Sequence, residues 1–253
     1  MTKDPTLYKL IREGRDMHRY VGSYVLDCKE EEISDKKRKE LKAANFALVY
    51  GGTDWNLTQY MGLSENFAKQ VYETFWTLFP TARLWADNQM KILDANAFRK
   101  EDGTLWSFYK GITGRKFFFK AYPEKVSKFC SDNRIYTPKG FKYSEGMNYQ
   151  VQSFCTADVH MIALGILFRQ AIKHRNKFLI INTVHDSVLI DCKKEFLKET
   201  CNLIKSSLES VIERLNTKFN IKFDLPLTVE CKTGSSWANL VKYEESKCQM
   251  SQV

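Results

Sequence analysis

The sequence predicts an α+β protein, with helices through the first hundred residues and an antiparallel hairpin and a strand set among helices in the last hundred. Two patterns carry this. Apolar residues recur every three or four positions through much of residues 5–98, as amphipathic helices require. Near the other end, FLIINTVHDSVLIDC (178–192) sets two β-branched, apolar runs around a short polar break. That is a hairpin pattern, and helices kept apart from antiparallel strands define the class.

Taken in order, residues 5–27 read as helical with an interruption at Gly14. Ser34 is a suitable N-cap for a helix that runs to about Tyr50 and stops at Gly51-Gly52. Ser64 caps another, with Phe67, Val71, Phe75 and Leu78 on its apolar side and Pro80 beyond it; a third spans about Thr81 to Phe98. Residues 99–147 mix turn residues, aromatics and lysines, and assign themselves to nothing. Thr156–Arg169 is helical again. After the hairpin, Leu197, Cys201, Ile204, Leu208, Val211 and Leu215 mark one amphipathic helix. Leu227, Val229 and Cys231 alternate with Thr228, Glu230 and Lys232, which predicts a half-buried strand.

The chain has 253 residues, 43% of them hydrophobic, so it can bury a sizeable core and is not a disordered chain. Lys and Arg number 39 against 30 acids, a formal charge of +9, which favours polyanionic partners. The seven cysteines show no CxxC spacing, which argues against a zinc site and leaves them as inert core or surface residues. No run approaches the roughly 20 apolar residues of a membrane span, and the apolar start expected of a signal peptide is missing from the opening MTKDPTLYK. The expectation is an intracellular, reducing compartment, such as bacterial or phage-infected cytoplasm or an organelle, with no membrane partner.

Three stretches carry chemistry. RKELKAANFALVYGG (38–52) places Arg38, Lys42, Phe46 and Tyr50 four residues apart, on one helix face that drifts by about 40° per step. Two cations one turn apart suit a polyphosphate, and the rings that follow suit a sugar or base. The same spacing also describes a solvated basic face running into a buried aromatic end. VHDSV (184–188) holds His185 and Asp186 at the tip of two strands, a rigid mount for a metal carboxylate, or simply an Asx turn. NYQVQSFCTAD (148–158) brings Asn148 and Gln152, amides that can read minor-groove acceptors or merely cap and pack.

Together these stretches resemble family A DNA polymerases. Arg38, Lys42, Phe46, Tyr50 and Gly51 are similar, position by position, to that family's motif B, Arg-x3-Lys-x3-Phe-x3-Tyr-Gly. VHDSV resembles motif C, usually His-Asp-Glu, with Ser187 in place of the Glu. EGRDMH (13–18), ITGRKF (112–117) and LPLTVECKTGSSW (225–237) resemble three further segments. NYQVQSFCTAD resembles a fourth, with one extra residue after Gln152.

The resemblance implies a right-hand polymerase: 1–20 a palm segment, 21–147 helical fingers, 148–240 a partial palm with antiparallel sheet and helices, 241–253 a polar tail. It implies that Arg38, Lys42 and His18 hold a deoxynucleoside triphosphate, that Phe46 presses on its sugar and that Tyr50 and Gly51 sit at the template site. Gln152, Asn148 and Arg115 would contact primer-template DNA. His185 would touch the primer end, and Asp186 would bind catalytic magnesium, two ions being expected. Motif A, which precedes EGRDMH in that family, has no counterpart after Met1. The expectation is therefore a C-terminal polymerase portion that needs a separate N-terminal polypeptide for thumb and motif A, and is inactive without it. A fragment of a single-subunit RNA polymerase and a non-catalytic module binding DNA or a replication partner are the alternatives.

Overall fold

The computed structural model describes residues 2–125 and 135–243. They form two compact units, Met1–Gln152 and Ser153–Val253.

In the first unit, six helices run in succession: α1 Pro5–Arg12, α2 Met17–Leu26, α3 Asp35–Val49, α4 Asp54–Met61, α5 Glu65–Leu78 and α6 Pro80–Ala95. Asp4 ties two of them together. Its Oδ1 accepts from the N–H groups of Thr6 and Leu7 at the start of α1, and its Oδ2 from those of Thr81 and Ala82 at the start of α6. A carboxylate fully withdrawn from water is sustained here because four unpaired donors and two positive helix ends surround it. Leu48, Leu57, Val71 and Phe79 fill the core between these helices. The short helix α4 was absent from the sequence reading. It is framed by a capping box of Thr53 and Asn56 and closed by Gly62 in the left-handed conformation.

Residues 98–120 form a sheet that periodicity alone did not reveal. Strands β1 Phe98–Arg99, β2 Leu105–Lys110 and β3 Lys116–Lys120 pair antiparallel in that order. One face covers a second core, where Met90 and Leu93 of α6 meet Phe119, Phe141 and Met147. The unit closes with α7, Tyr143–Gln152.

The second unit opens with a π-helical stretch, Ser153–Val159, that leads into α8, His160–Lys173. The widened turn begins where NYQVQSFCTAD has its extra residue, and one added residue in a helix is what a π turn absorbs. Strands β4 Phe178–Val184 and β5 Ser187–Cys192 form the expected hairpin. Two helices follow instead of one: α9 Leu197–Glu209 and α10 Val211–Phe219 meet at Ser210, whose hydroxyl donates back to the Ser207 carbonyl. Ile166, Leu167, Ile204 and Leu215 knit α8, α9 and α10 into the core.

The strand expected at 227–231 is not one. Burial does alternate from Ile221 to Thr233, but a backbone ladder forms only between β6 Lys232–Thr233 and β7 Val241–Lys242. Side-chain alternation sets which residues face inward; it cannot supply a neighbouring edge. The polar tail expected at 241–253 begins with β7, and residues 244–253 lie outside the described residues.

The helical run Tyr143–Lys173 is also long and apolar enough, by length and composition, to cross a membrane. The sequence reading missed it because Gln152, Asp158 and His160 interrupt the apolar residues. Within the second unit, Ala163, Ile166, Leu167 and Ala171 of this run are core residues.

Candidate functional site

The site is built on α3, whose start is fixed by Ser34: its hydroxyl accepts the Lys37 N–H at 3.2 Å. Arg38 is half-buried, Lys42 is exposed, and Phe46 is 44% exposed although it is a large apolar ring. Beyond the helix, Tyr50 stacks with Phe46, the ring centroids 6.4 Å apart and the planes 11° from parallel. The Lys42 ammonium lies 5.6 Å from the Phe46 centroid. From α2, the His18 ring approaches Phe46 to 5.7 Å. Four of the sequence-predicted residues and a fifth from another helix thus share one surface.

Gln152, 102 positions along the chain, donates its side-chain amide to the Tyr50 hydroxyl. Gly51 allows this close approach. Its φ is +86°, and a Cβ there would lie 2.2 Å from Cδ1 of Tyr143. Asn148 sits half-buried one turn before Gln152 on α7, and Arg115 is exposed in the β2–β3 connection.

Two residues with no role assigned from sequence hold the cluster. Asp16 caps α2, its Oδ1 accepting from the N–H groups of His18 and Arg19 at 2.9 and 3.0 Å. Its Oδ2 takes the Arg38 guanidinium at 2.5 Å. Burial would lift this carboxyl, but the Arg19 N–H and the Arg38 guanidinium hold it below the usual carboxylate range. Asn45 is fully buried, with its side-chain nitrogen 3.1 Å from Nδ1 of His18. Burial pushes the His18 pKa down; Asp16 opposes this, and Arg38 and Lys42 add to it. Both residues were legible in kind. Asp16 stands two places before His18 at a helix start, and Asn45 is a lone amide among Leu41, Ala44 and Leu48 on the inward side of α3.

In the second unit, His185 and Asp186 are the two exposed residues of the hairpin turn, beyond the last pair Val184–Ser187. His185 has φ +54°, in the left-handed region that few non-glycine residues adopt. Ser187 donates its hydroxyl to the Val184 carbonyl. Among the described residues, no three His, Cys, Asp or Glu side chains stand together as a metal site. The Asp186 carboxylate is open to a cation but is one ligand, not a set.

Two of the cysteines interact. Cys201 on α9 donates a hydrogen bond to the Cys231 sulfur, and Lys205 stands nearby. The hydrogen bond draws the Cys231 thiol down to about 7 against the opposing effect of burial.

The family model for DNA polymerase family A matches residues 1–239. The chain belongs to DNA polymerase family A. That decides between the DNA polymerase resemblance and the RNA polymerase alternative. DNA polymerase I of Aquifex aeolicus is 28% identical to this family A chain over 243 residues, 93% of the chain and 36% of the relative. DNA polymerase I of Lactococcus lactis subsp. cremoris is 24% identical over 238 residues, 94% of the chain and 24% of the relative. The fold is also that of a solved polymerase domain, the POL domain of Pol1 from M. smegmatis in complex with DNA primer-template and dNTP. That match has a TM-score of 0.66 at 20% identity and covers 89% of this chain and 35% of the other. The family A chain thus spans about a quarter to a third of the length of the relatives it matches.

Proposed function

We propose that this chain is the nucleotide-binding and primer-contacting part of a template-directed DNA polymerase. The observation that carries this is the shared surface of Arg38, Lys42, Phe46, Tyr50 and His18. Arg38 and Lys42 neutralise the triphosphate of a deoxynucleotide, and the open ring of Phe46 packs on its sugar. Tyr50, anchored by Gln152, lies where the template base stacks, and Asn148, Arg115 and His185 meet primer-template DNA.

Asp186 offers one carboxylate to catalytic magnesium, which when bound neutralises charge on the phosphates and activates the primer hydroxyl. Two-ion catalysis takes carboxylates from two chain segments, and the described residues offer no cluster that completes the set. The missing ligand comes from polypeptide corresponding to the rest of the longer relatives, either upstream in the same protein or on a separate chain.

Primer extension tests this, with the chain alone, with that complementary polypeptide, and with Asp186→Ala in the mixture. Extension is expected only from the mixture, and Asp186→Ala should lower kcat by at least about 100-fold with a smaller change in nucleotide KM. Efficient extension by the chain alone would overturn the need for a second segment. A mixture that extends as well with Asp186→Ala would remove the hairpin from the metal site.

A further inference from the structure

Asn45 is an expensive residue where it stands. Its side chain is 0% exposed, and its Oδ1 has no hydrogen-bond partner among the described residues. An amide withdrawn from water and half satisfied destabilises a core unless the contact it does make is needed. That contact is with His18, Nδ2 to Nδ1 at 3.1 Å.

The chemistry of the two nitrogens limits what the contact can be. An amide NH2 donates and has no lone pair free to accept. With the Asn45 amide oriented as it stands, Nδ1 of His18 is the acceptor and is bare. A neutral imidazole with a bare Nδ1 carries its proton on Nε2, on the far edge of the ring. The surroundings agree. The ring is half-buried beside Phe46, with the cations of Arg38 and Lys42 facing it and Asp16 already committed to Arg38 and to the cap of α2. A second proton on the ring would force Nδ1–H against the amide N–H.

We propose that Asn45 is a positioning residue that holds His18 as the neutral Nε2–H tautomer, turning its outer nitrogen into a fixed hydrogen-bond donor for the phosphates carried by Arg38 and Lys42. The phosphate half of this rests on the nucleotide reading above; the tautomer half does not. A donor without charge adds a directed bond and spares the site a third crowded cation.

The test is a ¹⁵N spectrum of the His18 ring in the full chain, with a titration by a fluorescent deoxynucleoside triphosphate alongside. The wild type should show the Nε2–H pattern at neutral pH. Asn45→Asp replaces the donor with an acceptor, so Nδ1 gains a proton and the His18 pKa should rise by about one unit or more, roughly tenfold in proton affinity. Asn45→Ala removes the bias, mixes the tautomers and weakens triphosphate binding by roughly five- to tenfold. An Nδ1–H pattern in the wild type overturns the proposal even if neither variant folds, as does an unchanged His18 pKa in a folded Asn45→Asp. The expected ring pattern with no triphosphate binding by the wild type would overturn the nucleotide reading and leave the tautomer assignment standing.

Discussion

At the scale of single residues, the candidate site depends on polar groups that serve two partners at once. Asp16 caps α2 with one oxygen and holds Arg38 with the other. Asp16→Asn keeps a capping oxygen and loses the ion pair, and should cost about 1 kcal/mol at pH 7. The sign follows from the folded carboxyl lying below its unfolded range. Its contribution is present above the unfolded pKa, about 3.9, and is lost as pH falls through the lower folded value. Denaturant midpoints of wild type and Asp16→Asn should therefore differ at pH 7 and converge only as pH falls through the lowered folded value. A gap that persists at low pH would mean the carboxylate charge is not the source. Cys231 gives a second expectation at this scale. Its thiol, drawn to about 7, should be the first of the described cysteines to alkylate at neutral pH, with a rate that rises through that value. Mapping iodoacetamide adducts by mass spectrometry checks this, and Cys201→Ala should slow the reaction by removing the donated hydrogen bond.

At the scale of elements, helix ends explain both what could be read from the sequence and what could not. Helices α3 and α5 were visible because Ser34, Ser64, Gly51 and Pro80 punctuate long periodic runs. Helix α4 was not, because eight residues are too few for periodicity to speak, although Thr53 and Asn56 did announce a start. The sheet of β1 to β3 hid behind aromatic residues that face both ways: Phe119 is buried and Phe118, its neighbour in β3, is 57% exposed. In the site, the stripe running along α3 was legible because three steps of four residues sample one face. The hold of Asn45 on His18 joins residues 27 apart, and Tyr50 to Gln152 joins residues 102 apart; no local spacing encodes either. Asp4 makes the same point energetically, since it looks like an ordinary N-cap and is also the cap of a helix 77 residues on. Asp4→Ala strips oxygen from four backbone donors at two helix starts. It should destabilise the first unit by about 2–4 kcal/mol, with α1 and the start of α6 losing hydrogen-exchange protection together. Loss of protection in α1 alone would show that the second cap contributes nothing.

At the scale of the molecule, the second unit presents more apolar surface than a self-sufficient domain would. Helix α8 is apolar on two faces. Ala163, Ile166, Leu167 and Ala171 are buried, while Met161, Phe168 and Ile172 stand 59%, 61% and 59% exposed at spacings of seven and four. Those spacings place the three on a single stripe. A helix apolar all round is normally covered all round. On β4, Leu179 and Ile181 are also more than half exposed. The relatives that match this chain are about three to four times its length, so material to cover such a surface exists in them. The chain by itself should therefore self-associate in sedimentation and bind a hydrophobic dye. Phe168→Glu with Ile172→Glu should shift it toward monomer and cut dye binding severalfold, while the unfolding free energy changes by less than about 0.5 kcal/mol, because neither side chain is in the core. Adding the complementary polypeptide should suppress dye binding of the wild type and form no complex with the double variant. A wild type that sediments as a monomer, ignores the dye and behaves like the variant in every arm would show that this stripe needs no cover.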